Sequence, residues 1–166
     1  MTASILVLGL GNVLLRDDGV GVRVVESLQQ HFAFPATVAL LDGGTLGLDL
    51  LPWLDGLQGL VVVDAVAFGR APGQISHLEG ADVRECLHLK MSPHQVGLRD
   101  LLAAASLLGR KPARVVLWGA EPERLDPGTE LSPTVAGALP ALRQAVVNEL
   151  RSLGAAPLET RSVASS

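Results

Sequence analysis

Apolar positions fall along this chain in two rhythms. Three short runs are almost continuously aliphatic: Ser4-Ile-Leu-Val-Leu-Gly-Leu10, Gly59-Leu-Val-Val-Val-Asp64 and Arg114-Val-Val-Leu-Trp-Gly119. Runs of this length without polar alternation predict strands covered on both faces, as in a parallel sheet. Residues 37–42 and 74–79 also read as strands, but their mixed composition suits positions nearer a sheet edge. Elsewhere the spacing widens to helical steps. Val20, Val24, Val25, Leu28 and Phe32 mark one face of a first helix. A short second helix is expected to start near Thr45 and stop around Pro52. Ser92-Pro93-His94-Gln95 places Ser at an N-cap, Pro at the first helical position and Gln three after the cap, a capping box. It opens the stripe Leu98, Leu101, Leu102, Ala105, Leu108, closed by Gly109. Ser132-Pro133 opens a last helix carrying Leu139, Leu142, Val146, Leu150 and Leu153, which Gly154 should end.

The order is strand, helix, strand, helix, strand, strand, helix, strand, helix. Such alternation predicts an α/β fold, a three-layer α/β/α sandwich around a mostly parallel twisted sheet. One connection departs from the rule. Residues 67–73 are too few for a parallel crossover, which takes about a dozen or more. The third and fourth strands should therefore form an antiparallel pair, giving a mixed five-stranded sheet with one antiparallel strand. Residues 1–154 read as a single domain and residues 155–166, rich in Ala and Ser, as a flexible C-terminal tail.

Composition narrows the class. With 166 residues, three Phe, two Trp and no Tyr, the core must be aliphatic. The single cysteine, Cys86, rules out an internal disulfide and a cysteine-rich zinc framework. A formal net charge of -4 without a run of like charges argues against nucleic acid and anionic membrane as partners. Residues 5–15 have the apolarity of a signal-peptide core. However, Gly9, Gly11 and Asn12 interrupt them, no basic segment precedes them and no small-residue cleavage site follows. No stretch reaches the roughly 20 apolar residues of a membrane span. The expectation is a soluble, cytoplasmic protein.

No Gly-x-Ser-x-Gly elbow, phosphate loop or His-Glu-x-x-His is present. Cys86 stands two residues from His88 without a third partner and reads as a bland, buried or half-buried thiol. Gly9-Leu10-Gly11-Asn12 after the first strand suggests a dinucleotide-binding turn. Against it, Leu14 occupies the position of the third glycine, and Asp17 and Asp18 sit where a pyrophosphate would meet the helix N-terminus.

The carboxylates are the better clue. Ligands of open α/β sheets bind at the carboxyl ends of the parallel strands. Asp18 lies in the loop leaving the first strand, Asp64 ends an otherwise aliphatic one, and His94 opens a helix that must start at the same edge. Two carboxylates and a neutral imidazole suit a divalent metal ion, balance its charge and leave a coordination position open. A helix N-terminus also disfavours the imidazolium, which keeps His94 competent as a ligand. Each residue has a plainer alternative: Asp18 as an N-cap, Asp64 held by loop N–H groups, His94 filling a polar helix end. Asp42, in Asp-Gly-Gly-Thr, reads as a turn residue.

At these residues the chain resembles a known family. Ile5-Leu-Val-Leu-Gly-Leu-Gly-Asn-Val-Leu-Leu-Arg-Asp-Asp-Gly-Val-Gly-Val-Arg23 is similar to the opening of the NiFe-hydrogenase maturation endopeptidases. The similarity continues through Asp42-Gly-Gly-Thr-Leu-Gly47, Val63-Asp-Ala65, Ser92-Pro-His-Gln-Val-Gly-Leu98 and Ser132-Pro-Thr134. The resemblance implies a protease that cuts a C-terminal extension from the hydrogenase large-subunit precursor once nickel is inserted. It also implies Asp18, Asp64 and His94 as both metal-binding and catalytic residues, on nickel supplied by the precursor, with Cd or Zn able to replace it in vitro. Many relatives carry Glu where this chain has Asp18, which makes Asp17 an alternative ligand. Attack by water is expected, the water being activated either by the ion or by Asp64 as general base. Two other readings stay open: a non-catalytic nickel-binding maturation chaperone and a dinucleotide-binding module.

Overall fold

The computed structural model describes residues 3–44, 47–89 and 93–160, without the side chains at 88, 89, 93 and 94. Five strands form the main sheet in the order β3-β1-β4-β6-β5: β1 Ile5–Leu10, β3 Val38–Gly44, β4 Gly59–Ala65, β5 Ile75–Glu79 and β6 Arg114–Ala120. Strands β1, β3, β4 and β6 run parallel to one another, and β5 is antiparallel. The three aliphatic runs are the three central strands. The two mixed segments are the edges, where one side of the strand faces no neighbour.

Helices cover both faces. Val7, Val61 and Val63 point to the side of α1 (Val20–His31) and α4 (Pro133–Ser152), where they meet Val24, Leu28, Leu142 and Val146. Leu6, Leu8, Leu60 and Val62 point to the other side, towards α2 (Ala81–Leu89) and α3 (Pro93–Leu107). The alternation has the period of two that a strand imposes, so every central residue has an apolar partner on one layer or the other. The result is the three-layer sandwich.

Four features differ from the expectations above. First, β5 is antiparallel but pairs with β6, from Ile75 opposite Ala120 to Glu79 opposite Val116, and not with β4. Strand β4 is buried along its whole length and is flanked by β1 and β6. A short loop requires reversal of direction, not adjacency. Second, residues 48–54 form a 3-10 helix with Pro52 inside it rather than at its end; Leu50 and Leu54 anchor it in the core. Residues 45 and 46 and the N-cap position 92 lie outside the described residues. Third, the chain past Gly154 is not free where it is described. Gly154 takes φ +77°, the left-handed turn that ends α4, and Ala155 is buried. Leu158–Glu159 (β7) then pairs antiparallel with Phe32–Ala33 (β2). Fourth, helix α2 has no counterpart in the sequence pattern, because among its described side chains only Val83 and Leu87 are buried, too sparse a stripe to register.

Candidate active site at the carboxyl edge of the sheet

The loop leaving β1 is held by close backbone approach. Gly21, in the first turn of α1, packs so tightly that a Cβ there would collide with the carbonyl oxygens of Val63 and Leu10. Gly11, at φ +119°, is pressed against the carbonyl of Asp18 in the same way. The 3-10 turn Arg16–Gly19 is thereby seated beside the end of β4. Helix and strand do pack through a glycine, but it is Gly21 rather than position 14.

The two neighbouring aspartates of this turn have opposite fates. Asp17 is fully buried, and its carboxylate accepts four hydrogen bonds. These come from the N–H groups of Glu123 (2.9 Å), Arg124 (2.8 Å) and Ser132 (2.7 Å) and from the Ser132 hydroxyl (2.8 Å). Burial alone would raise its pKa, but the donors outweigh burial and hold the carboxyl below the usual range. Asp17 therefore ties the first loop to the β6–α4 loop and to the start of α4. Arg16 N–H to the carbonyl of Gly128 (3.0 Å) and Gly128 N–H to that of Leu14 (2.9 Å) complete the seam. Asp18 is half-buried, and its Oδ2 accepts from the N–H of Asn12 at 2.9 Å. It is not the N-cap of α1; Gly19 holds that position.

Asp64 lies opposite Gly119 near the end of β4 and is 1% exposed. Its Oδ1 accepts from the N–H of Ala65 (2.7 Å). Its Oδ2 faces the side-chain amide of Gln95, whose Nε2 is 3.3 Å away and also donates to the carbonyl of Ala65 at 3.1 Å. Helix α3 therefore starts at this edge, with its positive end towards the Asp64 carboxylate. His94 belongs to the first turn of α3, one residue before Gln95; its side chain lies outside the described residues. Gln95 had been given only a capping role, and its contact with Asp64 was not anticipated. The signal was a polar residue at a helix start that topology brings to a buried carboxylate.

Other groups fall away from this site. Asp42 accepts from the N–H of Gly44 at 2.9 Å, a local turn bond. Burial, and then the negative charge of Asp64, push the Cys86 thiol up, which disfavours the thiolate a nucleophile needs. His88 lies outside the described side chains. Among the described residues, His77, Glu79 and Glu149 come close enough to hold a cation. However, the Arg114 guanidinium already bridges Glu79 (2.7 Å) and Glu149 (3.2 Å). A pyrophosphate at the β1–α1 turn would face Asp17 and Asp18, whose carboxylates already engage the backbone N–H groups described above.

The chemistry described at the edge is that of a buried carboxylate, a second acidic group on a pinned turn and a helix N-terminus whose first turn includes His94. Comparison with known proteins shows what the whole chain is similar to. The family model described as hydrogenase maturation protease matches residues 22–149. The Escherichia coli hydrogenase 2 maturation protease is 43% identical over 152 residues, covering 90% of this chain and 92% of that protein. The hydrogenase expression/formation protein HupD of Rhodobacter capsulatus is 47% identical, over 90% of this chain and 72% of its own. Among solved structures, the E. coli hydrogenase maturating endopeptidase HybD superposes with a TM-score of 0.90 at 39% identity, over 93% of this chain and 96% of that one.

Proposed function

This chain belongs to the hydrogenase maturation proteases, and from that premise we propose that its substrate is a NiFe-hydrogenase large-subunit precursor carrying inserted nickel. The enzyme is an endopeptidase of hydrogenase maturation. In the proposed reaction it removes the precursor's C-terminal extension, with Asp18, Asp64 and His94 recognising the nickel. The observation that carries this reading is the buried Asp64 carboxylate at the strand end, flanked by the turn of Asp18 and by the first turn of α3.

The donor set suits the ion. Two carboxylates and an imidazole offer oxygen and nitrogen ligands, and their summed charge offsets a divalent cation. Nickel, arriving on the precursor as part of the substrate, supplies positive charge for docking and Lewis acidity at the scissile carbonyl. The chain's own residues do the rest. Gln95 fixes the orientation of Asp64 through Oδ2, so that the carboxylate can hold a water and take its proton as general base. The Asp17 seam keeps the turn of Asp18 in register with β4. Among the described residues no helix is long and apolar enough to cross a membrane. A cytoplasmic site of action is part of the proposal.

Calorimetric titration of Cd²⁺ or Ni²⁺ tests the ligand assignment apart from cleavage. Saturable one-site binding that disappears in Asp64→Asn and in His94→Ala supports it. Binding unchanged by both substitutions contradicts it.

A further inference from the structure

At the end of the sheet opposite Asp64, residues of α2, α3 and the start of β6 line a pocket of about 540 Å³. That is the size of a small-molecule site. Its aliphatic floor combines the buried side chains of Val83, Leu87, Leu102 and Val115 with the exposed Ala103 and Ala113. Among the described residues no aromatic side chain lines it to stack on a nucleobase. Four cations line it, Arg84, Arg99, Lys111 and Arg114, against two carboxylates, Glu79 and Asp100. Arg114 is committed to Glu79 and Glu149, and Arg99 has Asp100 at 3.5 Å. Arg84 and Lys111 also line the pocket, and no carboxylate among the described residues pairs with either.

We propose that this pocket binds an amphipathic organic anion, a hydrocarbon body on the aliphatic floor with its acidic head at Arg84 and Lys111. The charge argument is local: the chain as a whole carries -4, yet the two unpaired charges at this mouth are both positive. Burying hydrocarbon supplies the affinity and the two cations select the sign of the head group. The site is distinct from the carboxyl edge, although α3 is common to both: its first turn carries Gln95, and its later residues wall the pocket.

The test is calorimetric titration of the full chain with decanoate below its micellar range, beside decanol and decyltrimethylammonium. Ala103 lines the pocket from an exposed position on α3, so Ala103→Trp fills the space without disturbing the core. The thermal midpoint of each variant checks that it folds, and Ser106→Trp, on the same wall, provides a second blocking variant. The expected result is one-to-one decanoate binding that both tryptophan variants abolish. Arg84→Glu combined with Lys111→Glu should weaken it about tenfold or more, and the ammonium compound should bind worse than decanoate. The proposal is overturned by a lack of saturable decanoate binding, by binding that survives both tryptophan variants, or by equal affinity for the cationic analogue.

Discussion

Ser132 gives both its backbone N–H and its hydroxyl to the buried carboxylate of Asp17, at 2.7 and 2.8 Å. The same hydroxyl accepts from the N–H of Val135 as the N-cap of α4. One side chain thus terminates a helix and anchors a loop from the far end of the sequence. Asp17→Ala should strand three backbone donors and lower stability by about 3 kcal/mol, read from urea denaturation at neutral pH. Protein that still folds should keep the Asp18 turn less well and cleave more slowly.

The same contact sets a pH dependence. The Asp17 carboxyl is held below its usual value, so its contribution to stability is complete above the unfolded carboxylate range near about 4. It is lost as pH falls through the folded value. The stability gap between the native chain and Asp17→Asn should therefore be widest at neutral pH and shrink below about pH 4. Denaturation curves at a series of pH values check this, and a gap constant down to pH 2 would contradict it.

Gly21 offers a purely steric test. A methyl group there meets the carbonyl oxygens of Val63 and Leu10, both fixed in central strands. Gly21→Ala should cost about 3 kcal/mol, seen as a lowered thermal midpoint, because neither backbone can retreat.

Gln95 should act through Asp64. Gln95→Leu removes the Nε2 donor to Oδ2 of Asp64 and to the carbonyl of Ala65 while keeping the volume. The expected result is a kcat about tenfold lower with little change in KM, and a shifted pH profile of kcat. Rescue by Gln95→Asn is not expected, since the shorter side chain cannot span the gap. A purely structural role would lower the thermal midpoint and leave the pH profile in place.

Much of this was legible in the chain, for reasons that differ by element. Strands β1, β4 and β6 announce themselves because burial on both faces leaves no room for polar residues. Helices α1 and α4 do so because their buried residues recur at helical steps. The partner of β5 was not legible: the loop length requires a change of direction but does not say which strand lies beside it. Helix α2 was missed because it buries too little. At the site, topology alone brought the loop of Asp18, the end of β4 and the start of α3 to one edge. What it did not separate were Asp17 and Asp18, adjacent in sequence, of which Asp17 is fully buried on four donors and Asp18 only half-buried. Only the donors of the β6–α4 loop, more than a hundred residues away, decide which carboxylate is structural.

The proposed trio also predicts a tolerance. Asp18→Glu lengthens the side chain by one methylene on a turn pinned by Asp17 and Gly11. It should retain cleavage, whereas Asp18→Ala should reduce it by about a hundredfold or more, measured as the initial rate of precursor processing.

The most direct test is intact-mass analysis of a nickel-loaded large-subunit precursor incubated with the native chain, Asp64→Asn or His94→Ala. The native chain should release a C-terminal fragment, and both folded variants should release none on the same timescale. A His94→Ala or Asp64→Asn enzyme that processes the precursor at the native rate would contradict the assignment of this edge as the active site.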